Sequence, residues 1–320
     1  MTKLVILDSY ALHEGDLDWA PLQKLADEIV LYPRTKADEL IARLADADFA
    51  IVNKSPIDDA VLCACPKLKW VGVTATGVDS LDIAACRRHN VAVANVPGYS
   101  TQSVAQLSLT LLLALCQCPG RYDAAVRDGY WQLDLPQNYG IFAPMELCGK
   151  TCGLLGYGAI GRQMAKNCAA LGMRVLCHTR TVPPVAEQNN VTFVSLDMLL
   201  RESDVLSLHC PCTSETENIL DANNLAKCKK GVRIVNTARG KLVDEHAMAA
   251  ALLCGDVGGF AADVVRTEPL VAENPLLAAP NVLLTPHIAW TTPEALHRLS
   301  AAVVENLESF LAGDARNIVN

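Results

Sequence analysis

The segment Gly153-Leu154-Leu155-Gly156-Tyr157-Gly158-Ala159-Ile160-Gly161 constrains this chain more than any other. It carries G-x-G-x-x-G at Gly156, Gly158 and Gly161, directly after an apolar run, and a helix-like stretch from Arg162 to Leu171 follows. In such a strand–turn–helix the first glycine permits a tight turn and the second lets a pyrophosphate approach the backbone. The third lets the helix pack close to the strand. The helix N-terminus then offers free N–H groups to phosphates. A glycine turn without any ligand has the same spelling, so the motif alone is weak. The strand before it and the helix after it point to a dinucleotide site.

A NAD site of this kind has Asp or Glu about 20 residues on, to accept from the ribose 2′-hydroxyl. Here the next strand reads Arg174-Val175-Leu176-Cys177-His178 and runs into Thr179-Arg180-Thr181, with no carboxylate. A cation with two hydroxyls beside it suits a 2′-phosphate, which leans the expectation toward NADP(H). The alternative is a solvated loop arginine.

A chain of 320 residues has room for two domains, each with its own core. Half of it is hydrophobic (51%) and little is aromatic (5%), as in Ala/Leu/Val-rich helices packed on sheets. The net charge of −8 and the lack of a long basic run argue against nucleic acid as a partner. Lys227, Lys229 and Lys230 cluster before Gly231 and read as a helix C-terminus. Met1 to Asp8 reads as a strand rather than a signal peptide, and Leu107–Cys118 is too short to span a bilayer. No membrane association is expected. The thirteen cysteines include no C-x-x-C pair, so they read as reduced core residues of a cytoplasmic protein, with Cys210 the most exposed to chemistry. No metal site is expected. His13, His89, His178, His209, His246 and His297 show no ligand spacing and read as surface or structural residues.

Strand and helix patterns alternate almost throughout. Strands are expected at Leu4–Leu7, Phe49–Val52, Trp70–Val73 and Val91–Asn95, with helices at Ala37–Leu44 and Leu81–Arg88. Pro97-Gly98-Tyr99 interrupts, and a long helix follows from about Ser103 to Cys116. Strands resume at Thr151–Leu155, Arg174–Cys177, Val191–Phe193, Val205–Leu208, Arg233–Asn236, Gly259–Ala262 and Val282–Leu284. A helix over Pro293–Leu311 closes the chain, and Asp128–Pro144 reads as a long loop. The pattern predicts an α/β chain of two doubly wound parallel-sheet domains. Their expected bounds are residues 1–100 for a substrate domain and 101–288 for an inserted dinucleotide-binding domain. Residues 289–320 would return to the first.

Three charged residues follow three successive strands. Arg239 lies in Asn236-Thr237-Ala238-Arg239-Gly240, Glu268 in Asp263-Val264-Val265-Arg266-Thr267-Glu268-Pro269, and His287 in Thr285-Pro286-His287. A guanidinium grips a carboxylate bidentately, an imidazole gives and takes a proton near neutral pH, and a carboxylate can orient it. Each alone has an ordinary reading as a cap, a packing residue or an exposed acid. Downstream of a dinucleotide turn they form a candidate site.

These segments, with Leu208-His209-Cys210-Pro211, resemble the D-isomer-specific 2-hydroxyacid dehydrogenase family over nearly the whole chain. Thr74-Ala75-Thr76-Gly77-Val78-Asp79, Asn95–Ser100 and His287-Ile288-Ala289-Trp290 look most like its glycerate dehydrogenase (hydroxypyruvate reductase) branch. The resemblance implies a Rossmann-type cofactor domain inserted into a flavodoxin-like domain, and a homodimer. It implies NAD(P)-dependent reduction of small 2-oxo acids to D-hydroxy acids. Arg239 would bind the substrate carboxylate, His287 would be the acid–base group, and Glu268 would hold His287 and favour its protonated form. The N–H groups of Thr76 and Gly77 would meet the carboxylate from the other domain, and Trp290 would bound the substrate pocket. Tyr157, Ala159, Ile160, Cys210, Pro211, Thr237, Ala238, Asp263 and His287 would contact cofactor, with the glycines of the turn and Thr179, Arg180 and Thr181. One departure is Gln106 in Val104-Ala105-Gln106, where many relatives carry Glu. The alternatives are corepressors of the C-terminal-binding-protein type, which resemble the family and keep the trio, and dehydrogenases of the D-lactate type or, on the same fold but with a different partner for the His, of the formate or phosphite type, against which Glu268 counts.

Overall fold

The computed structural model describes residues 1–12, 19–132, 142–184 and 191–320. It divides into two compact units, residues 1–100 with 290–320, and residues 101–289. The first unit begins with β1 (Lys3–Ile6), β2 (Glu28–Leu31), α1 (Ala37–Leu44), β3 (Phe49–Val52), α2 (Asp59–Ala64), β4 (Trp70–Val73), α3 (Ile83–Arg88) and β5 (Ala92–Ala94). The second contains α4 (Thr101–Gln117), α5 (Pro119–Arg127), β6 (Thr151–Leu155), α6 (Ala159–Ala170), β7 (Arg174–His178), β8 (Thr192–Phe193), α7 (Leu196–Glu202) and β9 (Val205–Leu208). It continues through α8 (Ala222–Leu225), β10 (Val232–Asn236), α9 (Glu245–Cys254), β11 (Val257–Ala262) and β12 (Val282–Leu284). The last helix, α10 (Pro293–Leu311), belongs to the first unit.

Both sheets are parallel, in the orders β2-β1-β3-β4-β5 and β12-β11-β10-β9-β6-β7-β8. Each is covered on two faces, as the apolar strand sequences predict. In β1, Val5 faces the core built with Leu40, Leu44, Leu62 and Cys86 of α1–α3. Its neighbours Leu4 and Ile6 face the core built with Leu296, Leu299, Val303 and Leu307 of α10. The second sheet is divided likewise: Cys152 and Leu154 of β6 pack with α4 and α6, whereas Leu155 packs with α7 and α9. Side chains alternate across a strand, so a strand wedged between two helix layers must be apolar at every position.

The expected elements appear with small shifts, and three others were not legible. β2 is a short strand whose residues are partly or fully exposed, so no apolar run announces it. α2 is only six residues long, started by Asp58, whose side chain accepts from Val61 N–H. α5 buries none of its residues and follows Cys118 in the left-handed region (φ 51°). It occupies the stretch just before the expected loop, of which Tyr130–Gln132 form a single 3-10 turn and 133–141 lie outside the described residues. His13 also lies outside them. α6 begins at Ala159 rather than Arg162, because the last glycine of the motif already sits in its first turn.

Candidate active site

Parallel register brings the three charged segments to one sheet edge. Asn236 of β10 pairs with Ala262 of β11, and Ala262 pairs with Leu284 of β12. The chains leaving those positions carry Arg239, then Asp263 to Glu268, then Thr285 to His287. Neighbouring strands lie about 4.8 Å apart, so the three segments emerge within about 10 Å. The turn carrying Arg239 is held by buried Asn236, whose Nδ2 donates to Arg239 C=O (2.9 Å) and whose Oδ1 accepts from Ala238 N–H (3.0 Å). Thr237, also buried, shares a hydrogen bond with Ser108 of α4 (2.6 Å). A Cβ at Gly240 would strike the backbone of Val265 and Arg266, so glycine there lets the Arg239 turn lie against the loop leading to Glu268. Arg239 itself is half-buried, with Nη1 on Ala238 C=O (2.8 Å).

His287 is paired with Glu268: Nδ1 lies 2.7 Å from Oε2. The other oxygen, Oε1, accepts from Val265 N–H at 3.4 Å. Their side chains are 33% and 28% exposed, so the pair is reachable by a small molecule. With Nδ1 on the carboxylate, Nε2 is the nitrogen left for a substrate. His287 adopts φ 58°, a conformation that a non-glycine residue keeps only when its surroundings enforce it. Asp263 supplies the enforcement. It is 1% exposed. Oδ1 accepts from Thr285 Oγ1 (2.6 Å) and Ile288 N–H (2.9 Å), and Oδ2 accepts from Ala289 N–H (2.9 Å). Asp263 thus brackets His287 from both sides in sequence.

The glycine turn stands at the C-terminal end of β6, where strand order reverses between β9 and β6–β7. This is the switch point at which doubly wound sheets bind ligands. Gly156 N–H donates to His178 C=O at the end of β7 (2.8 Å), and His209 N–H donates to Leu155 C=O (2.8 Å). The turn is therefore flanked by Thr179-Arg180-Thr181 on one side and Cys210-Pro211 on the other. Gly156 (φ 102°) has no room for a Cβ, which would sit 2.7 Å from Cys210 N and His209 C=O. A Cβ at Gly161 would strike Gly156 C=O. At Gly158 a Cβ meets nothing within 4 Å. Two glycines are thus required by the protein's own packing, and the third only by something approaching from outside. Gly158 is also the N-cap of α6, with no side-chain cap on the helix N–H groups. The cradle fits a pyrophosphate. Thr179 is half-buried, and Arg180 and Thr181 are exposed. Tyr157 is buried and stacks edge-on with Phe193 (5.0 Å), so its ring serves packing.

Cys210 differs from expectation: burial pushes its thiol up to about 11, which opposes reactivity. Burial pushes the His209 imidazole down to about 4, and the ring bonds Ser207 Oγ (2.9 Å). The thirteen cysteines are all free, but Cys63, Cys148 and Cys254 are exposed rather than in the core. Among the described residues no single helix is long and apolar enough to cross a membrane.

In the first unit, the N–H groups of Thr76 and Gly77 have no acceptor among the described residues. Their loop is fixed by Thr76 Oγ1 on Val96 C=O (2.8 Å) and Asn95 Nδ2 on Thr76 C=O (2.7 Å). Trp290 is half-buried against the α10 core, where it serves as a packing residue. Sequence reasoning passed over Asn236, Ser108 and Gly240. Asn236 and Gly240 sit inside the motif that flagged Arg239, whereas Ser108 lies on a distant helix with nothing to mark it.

Residues 109–289 match the D-isomer specific 2-hydroxyacid dehydrogenase, NAD binding domain. The chain belongs to this family. It is an oxidoreductase that binds a nicotinamide cofactor. It is 42% identical to the hydroxypyruvate reductase of Blautia hydrogenotrophica over 321 residues, 99% of each chain. It is 38% identical to the glycerate dehydrogenase of Methylorubrum extorquens, covering 88% of each. The solved structure of the TT0316 protein from Thermus thermophilus superposes over all of both chains with a TM-score of 0.89 at 34% identity.

Proposed function

We propose that this protein reduces small 2-oxo acids, hydroxypyruvate and glyoxylate foremost, to D-2-hydroxy acids. The observation that carries the reading is the Glu268–His287 pair, at the sheet edge that also bears Arg239. Arg239 binds the substrate carboxylate with its planar fork. In the first unit, Thr76 and Gly77 offer N–H groups of the kind that bind a carboxylate. His287 Nε2 gives a proton to the carbonyl oxygen during reduction and takes it back in oxidation, while Glu268 fixes the ring through Nδ1. Asp263 holds the His287 loop in place. A bound nicotinamide cofactor would supply the hydride; Gly158 and the α6 N-terminus would hold its pyrophosphate, and Cys210, Pro211, Thr237 and Ala238 would contact it.

NADPH is accepted at least as well as NADH. The support is Arg180 with Thr179 and Thr181 beside the turn, and the absence of Asp or Glu from that stretch. Thirteen free cysteines favour a reducing compartment such as the cytoplasm. A homodimer through the cofactor unit is supported by α5, which buries none of its residues, and by exposed Leu113, Val126 and Trp131.

The test is a steady-state panel of 2-oxo acids with NADH and NADPH, in wild type and Arg180→Ala. A charge-assisted phosphate contact of about 1.5–3 kcal/mol predicts a selective loss with NADPH of roughly 10- to 150-fold in the mutant. Failure to turn over any 2-oxo acid would overturn the reaction. Strong NADH preference with no selective mutant effect would overturn only the cofactor assignment.

A further inference from the structure

Three side chains of metal-ligand type meet on the first unit, at residues with no part in the reaction above. Asp59 and Cys63 stand at positions i and i+4 of α2, and so share one face of it. His89 is the C-cap of α3: its own N–H donates to Ala85 C=O, and the next N–H, of Asn90, donates to Arg87 C=O. His89 Nε2 lies 3.1 Å from Asp59 Oδ1 and 3.8 Å from Cys63 Sγ, and Cys63 Sγ lies 3.9 Å from Asp59 Oδ2. One ligand atom from each falls within 4.8 Å of the others.

We propose that Asp59, Cys63 and His89 form a binding site for a borderline-soft divalent cation of the Zn2+ kind. Tetrahedral zinc with bonds of about 2.0 Å to O and N and about 2.3 Å to S places its ligand atoms about 3.3–3.6 Å apart. The three separations depart from that range by a few tenths of an ångström, but His89 and Cys63 meet different oxygens of Asp59, so a rotation of the carboxylate must bring one oxygen to both; with one ligand atom from each residue the set lies within 4.8 Å. The donor set chooses the metal. A thiolate and an imidazole favour zinc over the hard cations Mg2+ and Ca2+, which take oxygen. Three protein ligands leave a fourth position for water.

The frame is prepared. α2 and α3 share the core through Val61, Leu62, Ala85 and Cys86. The segments leading into them pair at Ile57 and Leu81. The ligands therefore rise from packed helices rather than from a free loop, which favours a defined site. A bound cation would join α2 to α3 and stabilise the first unit by mass action.

One group opposes it. Arg88 Nη2 lies 2.8 Å from Asp59 Oδ1 and holds that carboxyl below its ordinary range, together with His89. The side chains are 59% and 52% exposed, so this ion pair is weak and yields readily to a divalent charge. Oδ2 is the oxygen that meets Cys63 Sγ, whereas Arg88 and His89 meet Oδ1.

The experiment uses the full chain after chelation and desalting, titrated with Zn2+ by calorimetry and with Co2+ as a spectroscopic probe. One equivalent should bind, with thiolate-to-Co2+ charge-transfer absorption, and the melting temperature should rise with added Zn2+. Cys63→Ala should abolish the absorption, and Cys254→Ala, at another exposed thiol, should retain it. His89→Ala should weaken Zn2+ by more than the about 10- to 100-fold that loss of an outer partner costs. Arg88→Ala should tighten it a few-fold, in keeping with an exposed pair. Mg2+ should not compete. Absorption that survives Cys63→Ala, affinity unchanged in His89→Ala, or the lack of one-to-one binding would overturn the site.

Discussion

Asp263→Asn tests whether the buried carboxylate builds the site by holding the His287 loop. Asparagine keeps the size and removes the charge. Asp263 accepts from Thr285 Oγ1, Ile288 N–H and Ala289 N–H. However the amide is turned, its NH2 group faces a backbone N–H, that of Ala289 or that of Ile288. One orphaned N–H costs about 1–3 kcal/mol. The bonds that remain pass from charge-assisted to neutral strength, a loss of about 1 kcal/mol each. Relief from burying a charge offsets part of this. A net loss of about 2–4 kcal/mol follows, or roughly 5–15 °C in melting temperature for a unit of this size. The loop can also relax instead of unfolding the unit, because His287 at φ 58° is released once its clamp is gone. A misplacement of about 1 Å then lowers kcat by up to about 100-fold. The assays are scanning calorimetry, kcat for the best 2-oxo acid, and cofactor Kd by fluorescence titration. Melting within about 2 °C of wild type together with kcat within a few-fold would refute the reasoning. A loss confined to cofactor Kd would make Asp263 a nucleotide contact and not a clamp.

Other outcomes follow from the same geometry. Gly158→Ala should leave melting nearly unchanged, since its Cβ meets nothing within 4 Å, yet raise cofactor Kd at least 10-fold; normal cofactor binding would remove the pyrophosphate from this turn. His287→Ala should lower kcat by about 10²–10⁴ with cofactor Kd retained, and a kcat within a few-fold of wild type would end its assignment as the acid–base group. Arg239→Lys should lower kcat/KM for oxo acids far more than it alters cofactor affinity, because an ammonium cannot reproduce the bidentate grip. Because His209 has a folded pKa of about 4 against 6.5 when unfolded, the unfolded chain binds the extra proton first. Stability present above pH 6.5 should therefore be lost as pH falls toward 4, by up to about 3 kcal/mol. Urea titrations across that window should show a flatter pH dependence in His209→Asn, and an unaltered slope would place the loss elsewhere.

Much of this protein is written locally. The central strands of both sheets are buried on two faces, so their positions are mostly apolar, and runs such as Phe49–Val52 and Val205–Leu208 announce themselves, whereas the partly exposed β2 does not. α10 matches its expected bounds because Thr292 caps it and Pro293 occupies its first turn, both short-range effects. The glycine turn could be read from spacing because each glycine answers a separate local demand. Arg239, Glu268 and His287 stood out because each follows its own strand. What sequence could not supply was contact between residues distant along the chain. That Gly240 is needed for the approach of the Val265 backbone, and Gly156 for that of His209 and Cys210, depends on neighbouring strands fixed only by sheet order. The clamp from Asp263 onto residues 285–289 spans about two dozen positions and exists only because β11 and β12 are adjacent and in register. Asp59 and Cys63 meet His89 for the same reason: helix packing brings the end of one short helix to the face of another, and no spacing rule encodes that. Periodicity, capping and turn chemistry act over a few residues and survive in the one-dimensional chain. Burial and cross-strand contact are properties of the assembled core.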